Sequence, residues 1–260
     1  MSKRSMELKK RLRAGETTFG GWLTVANPMI AEIMAGAGFD WVVIDTEHGG
    51  FGNEGLQTDL VAFNGSPTVP IVRVPWNDAV MIKQVLDMGA DGILVPMVNS
   101  PDEARQAVSA CKYPPEGTRG FGPRRASDYG RKIDEYVPQA NESVIVIPQI
   151  EHVDAVRQID AILDVPGIDV VCLGPTDLSG SAGVLRQFEH PVVAAAIKTV
   201  LAAAKKRNLP ACLGVIRPDE ETRQWVSQGA NFMVTCEDVS ALATAVSQSL
   251  AHMRGLVGVR

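Results

Sequence analysis

The sequence predicts an α/β fold, a (β/α)8 TIM barrel, with a single domain over residues 1–260. Three observations predict it. Short apolar, β-branched runs alternate with longer segments of helical period. Most of the runs are apolar on both faces, which suits a parallel sheet covered by helices. Four helical segments end on a glycine leading into the next run, at Gly38-Phe39-Asp40, Gly89-Ala90-Asp91, Gly167-Ile168-Asp169 and Gly229-Ala230-Asn231. Glycine takes the left-handed position that stops a helix, so this recurrence marks one βα unit used repeatedly. A doubly wound open sheet is the alternative. It normally carries a glycine-rich phosphate turn after its first strand, whereas the chain after Val25 reads Ala26-Asn27-Pro28.

Eight runs read as strands: Phe19–Val25, Trp41–Ile44, Val69–Val74, Gly92–Val98, Val144–Ile150, Val170–Leu173, Ala211–Ile216 and Phe232–Cys236. The helices between and after them are expected at Met29–Ala37, Glu54–Asn64, Ala79–Met88, Pro101–Lys112, Val153–Leu163, Pro191–Arg207, Pro218–Gln228 and Ser240–Met253. Pro28, Pro101, Pro191 and Pro218 stand at helix starts, where the missing N–H costs little. The N-terminal cations Lys3, Arg4, Lys9, Lys10, Arg11 and Arg13 read as a solvated first helix. Tyr113–Glu142, which opens "YPPEGTRGFGPRRASDYG", breaks the rhythm. It follows the fourth helix, so it belongs to the bottom of the barrel, and a connection this long is usually functional or interfacial.

Composition bounds the function. At 45% hydrophobic and 21% charged residues the chain reads as an ordinary soluble protein. A net charge of −5 argues against nucleic-acid binding. No apolar run reaches the length of a membrane span, and the N-terminus lacks a signal-peptide core. Cys111, Cys172, Cys212 and Cys236 form no CxxC pair. The expectation is a reduced, cytoplasmic protein with neither a disulfide framework nor a zinc site.

In a barrel, function sits at the C-terminal strand ends. Here those ends carry Asp45, Glu47 and His48 on the second strand, Arg73 on the third, Gln149, Glu151 and His152 on the fifth, and Gly174-Pro175-Thr176-Asp177 on the sixth. Arg217 and Glu237 follow the seventh and eighth. Glu151 and Asp177 end neighbouring strands. Two carboxylates about 4 Å apart repel by roughly 4 kcal/mol at an effective dielectric of 20, so they share a proton or bind a divalent cation. Two oxygen ligands with room for water fit Mg2+ or Mn2+. The backbone amides of Gly174–Asp177, in a tight turn before a helix, favour an anion. Arg73 lies among apolar neighbours and needs a partner, either a substrate carboxylate or oxyanion or a structural ion pair with Glu47. His48 is the candidate general base, with Asp87 the candidate carboxylate that orients it. His152 and His190 flank helix starts and read as caps, and His252 carries no signal.

At these residues the chain resembles the HpcH/HpaI aldolases, the metal-dependent class II pyruvate aldolases. The resemblance rests on "GFDWVVIDTEH", "VRVPWNDAVMIKQVLDMGADGILVPMV", "YPPEGTRG", "VIPQIE" and "LGPTDLS", in that order, within a match running from about Phe19 to Cys236. It implies that Glu151 and Asp177 hold a divalent metal (Mg2+, Mn2+ or Co2+), with Gln149 lining that site. Arg73 would hold the pyruvate unit and its enolate oxygen, and the amides of Thr176 and Asp177 its carboxylate. His48 with Asp87 would form an acid/base dyad acting through a metal-bound water, and Asp45 and Glu47 would orient Arg73 or that water. Thr176 stands where the family is expected to have alanine. The implied reaction is reversible cleavage of a 4-hydroxy-2-oxo acid into pyruvate or hydroxypyruvate and an aldehyde. Arg119, Arg124 or Arg125 from an adjacent subunit would then meet the aldehyde, or hold the oligomer together. The resemblance also implies a last helix exchanged between subunits and a trimer of dimers. Two other readings stay open: a lyase acting on acyl-CoA thioesters, and a non-catalytic metabolite-binding barrel.

Overall fold

A parallel sheet apolar on both faces must be covered outside and filled inside, and closing it removes its unpaired edges. The computed structural model describes residues 2–213 and 220–258, and its sheet closes in this way. The strands are β1 (Thr18–Leu23), β2 (Trp41–Asp45), β3 (Val69–Arg73), β4 (Gly92–Val95), β5 (Ile145–Ile150), β6 (Val171–Leu173), β7 (Ala211–Leu213) and β8 (Ala230–Glu237). They pair in parallel in chain order, and β8 returns to β1. The expected helices are present among the described residues. Arg217, Pro218 and the expected end of the seventh strand at Ile216 lie outside them.

The side-chain period of two along a strand sorts the core into two layers. Trp41 and Val43 of β2, Val69 and Ile71 of β3, and Ile145 and Ile147 of β5 fill the interior. Val42, Ile44, Val72 and Val146 face outward into the layer beneath the helices. Trp41 stacks on Phe232 across the interior, with ring centroids 3.7 Å apart. Gly20 makes room for that stack, since a Cβ there would lie 2.2 Å from the Trp41 ring.

The N-terminal helix Ser2–Arg13 corrects the solvated reading of the basic segment. Leu8 and Leu12, four residues apart on one face, join the interior cluster and close the bottom of the barrel. Lys9 is buried, and its Nζ donates to Glu142 O at 2.6 Å and Val144 O at 3.0 Å and pairs with Asp169 at 2.9 Å. Arg4 Nε pairs with Asp91 at 2.6 Å. The charge pattern concealed an amphipathic plug whose cations reach buried acceptors.

Other departures have local causes. β1 stops at Leu23 rather than Val25 because the amides of Thr24 and Val25 turn to the Asp238 carboxylate. β4 stops at Val95 rather than Val98, short of Met97, whose φ of 53° leaves the extended region. The fifth helix breaks into Val153–Arg157 and Ile159–Leu163. The 113–142 segment is not featureless: it carries short helical turns at Arg125–Ser127, Ile133–Tyr136, Val137–Gln139 and Ala140–Ser143. Arg125 ties it to the bottom of the barrel by donating to Met88 O, Leu60 O and Asn64 Oδ1.

Replacing Gly20 with alanine drives a methyl into the Trp41 ring in a closed interior, where overpacking costs about 1–3 kcal/mol or more. Gly20→Ala is expected to lose about 3 kcal/mol in urea unfolding. A loss below about 1 kcal/mol would show that the Trp41–Phe232 stack yields easily.

Candidate active site

The same inward parity builds the site. Continuing Trp41-Val43 by two residues reaches Asp45, continuing Val69-Ile71 reaches Arg73, and continuing Ile145-Ile147 reaches Gln149 and Glu151. Asp45 and Arg73 face each other directly in the β2–β3 register. Polar side chains therefore take over from the apolar column where the strands end, and Asp45, Arg73, Gln149 and Glu151 are all buried.

Arg73 is held from several sides. Its Nε donates to Asp45 Oδ1 at 2.9 Å and its Nη2 to Asp45 Oδ2 at 2.6 Å. Nη1 lies 2.9 Å from Glu47 Oε2, but that oxygen gains no aligned hydrogen bond. Thr46 donates its amide and its hydroxyl to Arg73 O. Burial pushes the Asp45 carboxyl up, but the Arg73 hydrogen bonds and charge outweigh it and hold the group below its ordinary value. Glu47 goes the other way: burial raises it, and Arg73 only partly compensates. The ion pair foreseen between Arg73 and Glu47 exists, with Asp45 the better-aligned partner.

Glu151 occupies the opposite wall. Its Oε1 accepts from Met97 N at 2.7 Å and its Oε2 from Gln149 Nε2 at 2.5 Å. The left-handed turn at Met97 accompanies an amide that donates to this carboxylate. Gly174 closes against it: a Cβ at that position would lie 2.5 Å from Glu151 Oε2 and 2.7 Å from Gln149 Nε2. Gln149 Oε1 is buried without a donor. Burial pushes the Glu151 carboxyl up to about 7, and the charges of Glu47 and Asp177 add to the rise. Asp177 thus lies within electrostatic reach of both glutamates, in the first turn of a short helix, Pro175–Ser181, that begins inside the expected turn rather than after it. Gly174 is the N-cap of that helix and has no side chain to cap it, so the second and third amides, Thr176 and Asp177, keep no side-chain partner from the cap.

The structure does not join His48 to Asp87 within one chain. His48 is exposed at the top, with Nε2 4.0 Å from Glu47 Oε2. Asp87 ends the helix Ala79–Asp87, which runs back from the top of β3 to the bottom, where it accepts from Arg119 Nη2 at 2.8 Å. Nine residues of helix separate the two levels, about 13 Å. His152 and His190 are caps, as expected: each Nδ1 accepts a backbone N–H two residues on. Sequence reasoning missed three site residues: Thr46, Met97 and Trp22, whose indole Nε1 donates to Asp45 Oδ2 at 3.3 Å. Inward parity from Gly20 could have found Trp22.

A closed barrel whose strand ends carry buried acids around one arginine is the architecture of a barrel enzyme. The family model described as HpcH/HpaI aldolase/citrate lyase matches residues 18–245. A 4-hydroxy-2-oxo-heptane-1,7-dioate aldolase of Salmonella dublin is 43% identical over 238 residues, covering 90% of this chain and 89% of that protein. An HpcH/HpaI aldolase/citrate lyase family protein from Burkholderia cenocepacia J2315 superposes with a TM-score of 0.90 at 35% identity, covering 95% of this chain and 99% of that one. A citrate synthase, SbnG, superposes with a TM-score of 0.86 at 31% identity, covering 96% and 98%. Fold and relatives define a carbon–carbon lyase. The chain belongs to the HpcH/HpaI aldolase/citrate lyase family.

The raised Glu151 sets a stability trend in metal-free protein. The folded state holds this proton from about 4.5, its ordinary value, up to about 7. Stability is therefore fully kept below the lower value and falls as pH rises through the upper one, by roughly 3 kcal/mol. In chelated protein Glu151→Gln is expected to flatten that part of the pH–stability curve. An unchanged slope would mean that Glu151 ionises freely in the fold.

Proposed function

We propose that this chain is a metal-dependent class II aldolase that reversibly cleaves a 4-hydroxy-2-oxo acid into pyruvate, or hydroxypyruvate, and an aldehyde. The observation that carries the reading is that Glu151 and Arg73 are both buried at the top of one column, within electrostatic reach of each other, with Asp177 in reach of Glu151. The relative's name supports the substrate class.

The residues fit a hard divalent cation such as Mg2+, Mn2+ or Co2+. Glu151 and Asp177 would hold it, beside the unpartnered Gln149 Oε1 and the space that Gly174 keeps free. Among the described residues no group of three His, Cys, Asp or Glu could hold a metal, so water and substrate oxygens would complete the shell. When bound, the cation supplies Lewis-acid polarisation of the 2-oxo acid.

The chain's own groups divide the remaining work. The Thr176 and Asp177 amides bind the substrate carboxylate, a backbone role indifferent to threonine replacing alanine. Arg73 presents its remaining N–H edge to the ketone oxygen. His48 takes the 4-hydroxyl proton, the C3–C4 bond breaks, and the aldehyde leaves. The bonding electrons move into C2–C3 and charge collects on the ketone oxygen, where Arg73 stabilises it. Proton return to C3 gives pyruvate.

Assembly is part of the proposal. The last helix, Asp238–Val257, buries only Asp238 among its residues. Val239, Leu242, Val246, Leu250, Met253 and Val257 recur every three or four residues along it and are all exposed. The wall where an eighth helix would lie is correspondingly bare, with Phe19 of β1 and Met29 and Ile33 of the first βα helix exposed. A helix exchanged with a second copy would match stripe to wall, which supports the dimer within the trimer of dimers we propose. The free cysteines support a reducing, cytoplasmic setting, and no helix of the described residues is long and apolar enough to cross a membrane.

Pyruvate release should be followed over a panel of 4-hydroxy-2-oxo acids, with EDTA and with Mg2+, Mn2+ or Co2+ restored. Chelation is expected to abolish turnover and metal to restore it, and activity that survives thorough chelation overturns the reading. Arg73→Lys keeps the charge but loses the fork, and is expected to lower kcat about 10²-fold or more. Val246→Asp with Leu250→Asp should reduce the particle mass in light scattering, and an unchanged mass would remove the last helix from the interface.

A further inference from the structure

We propose that Trp22 is a positioning residue for Arg73, acting on the enolate step of the aldolase reading on which this inference rests. Trp22 touches both partners of the buried ion pair. The Arg73 guanidinium carbon lies over the indole ring, 5.0 Å from its centroid. The indole Nε1 donates to Asp45 Oδ2, the oxygen that also accepts Arg73 Nη2. One side chain therefore supports the face of the guanidinium and the carboxylate that anchors its edge.

Backbone geometry delivers Trp22 there. β1 runs Thr18-Phe19-Gly20-Gly21-Trp22-Leu23, and its inward positions are Thr18, Gly20 and Trp22. The β1–β8 register shifts between Gly20 and Gly21, immediately before the tryptophan. Bulges of this kind re-aim side chains beside active sites. Trp22 pairs with Val43 across β1–β2, two residues below Asp45. The ring therefore reaches along the barrel axis to the strand ends and stays only half-buried at the top of the interior cluster.

Arg73 needs this support because its other contacts leave one direction open. Asp45 fixes the guanidinium edge, while Glu47 approaches Nη1 without an aligned hydrogen bond. Without the ring, the plane can rock about the Asp45 edge and the donors aimed at the substrate lose their direction. Misplacement of a transition-state donor lowers kcat more than it raises KM.

The test uses the full-length, metal-loaded enzyme with Trp22→Phe and Trp22→Leu. Phenylalanine keeps a stacking face without the N–H, and leucine removes both. Trp22→Leu is expected to lower kcat for cleavage about ten- to thirty-fold with KM changed less than about threefold, the scale of a desolvated cation–π contact. Trp22→Phe should recover most of that loss. Exchange of the C3 hydrogens of pyruvate in deuterated water, which needs no aldehyde, should fall in parallel. Wild-type kcat in Trp22→Leu, or slow cleavage with normal exchange, overturns the proposal, since the latter places Trp22 against the aldehyde instead. If wild-type enzyme neither cleaves nor exchanges, the aldolase reading fails on its own. A crystal structure of Trp22→Leu still decides: Arg73 displaced from Asp45 supports the positioning role, and an unmoved guanidinium overturns it.

Discussion

The buried pair of Asp45 and Arg73 is the constraint around which this site is arranged. Both are nearly inaccessible to solvent, and they face each other in register on adjacent strands. Removing one partner from such a pair typically costs about 3–5 kcal/mol, because the other is left as an uncompensated buried charge. The pair is therefore tolerated only where further groups satisfy it. Trp22 donates to the carboxylate, Thr46 fixes the arginine backbone, and Glu47 adds a second negative charge. Each comes from a strand end or from the residues just beyond one, so the barrel has to be closed before the site can exist.

The second consequence is an imbalance of charge. Asp45 takes up Arg73's positive charge through two aligned hydrogen bonds, whereas burial and the charge of Asp177 raise the proton affinity of both Glu47 and Glu151, and Glu47 adds to the rise at Glu151. Three acids around one already engaged arginine leave the pocket short of positive charge. A proton on Glu151 relieves this in the free chain. A divalent cation held as proposed would relieve it more completely and leave the carboxylates ionised. On the proposed function, that competition would tie occupancy of the pocket to pH through the residue whose second oxygen lies against Gly174.

Much of this could be read in the sequence because period two and the glycine stops are local. Val43-Asp45, Ile71-Arg73 and Ile147-Gln149-Glu151 already show which acids and bases continue the interior column. What stayed hidden was contact between distant elements. Asp87, near the end of the third helix, is a candidate partner for His48 whose contact no local pattern can show. The helix carrying it instead runs to the opposite end, where Arg119 takes it. The basic N-terminus looked solvated because charge outnumbers Leu8 and Leu12, and nothing local reveals that Lys9 finds two buried carbonyls and Asp169. Met97 carries no sign of its left-handed turn, since that conformation is set by where Glu151 lies.

The last helix joins these scales. Its first residue, Asp238, receives the amides of Thr24 and Val25 and the Thr24 hydroxyl, immediately after Trp22-Leu23. Beyond that anchor the helix is exposed along its length. Its root is thus fixed to the strand that carries Trp22, while its apolar stripe has no cover among the described residues. A load on the helix reaches β1 through Asp238, two residues from the ring that faces Arg73. The outer surface and the reacting centre consequently share one short segment, 22–25. The exposed helix is therefore rooted just beyond the strand end that brings Trp22 to the Asp45–Arg73 pair.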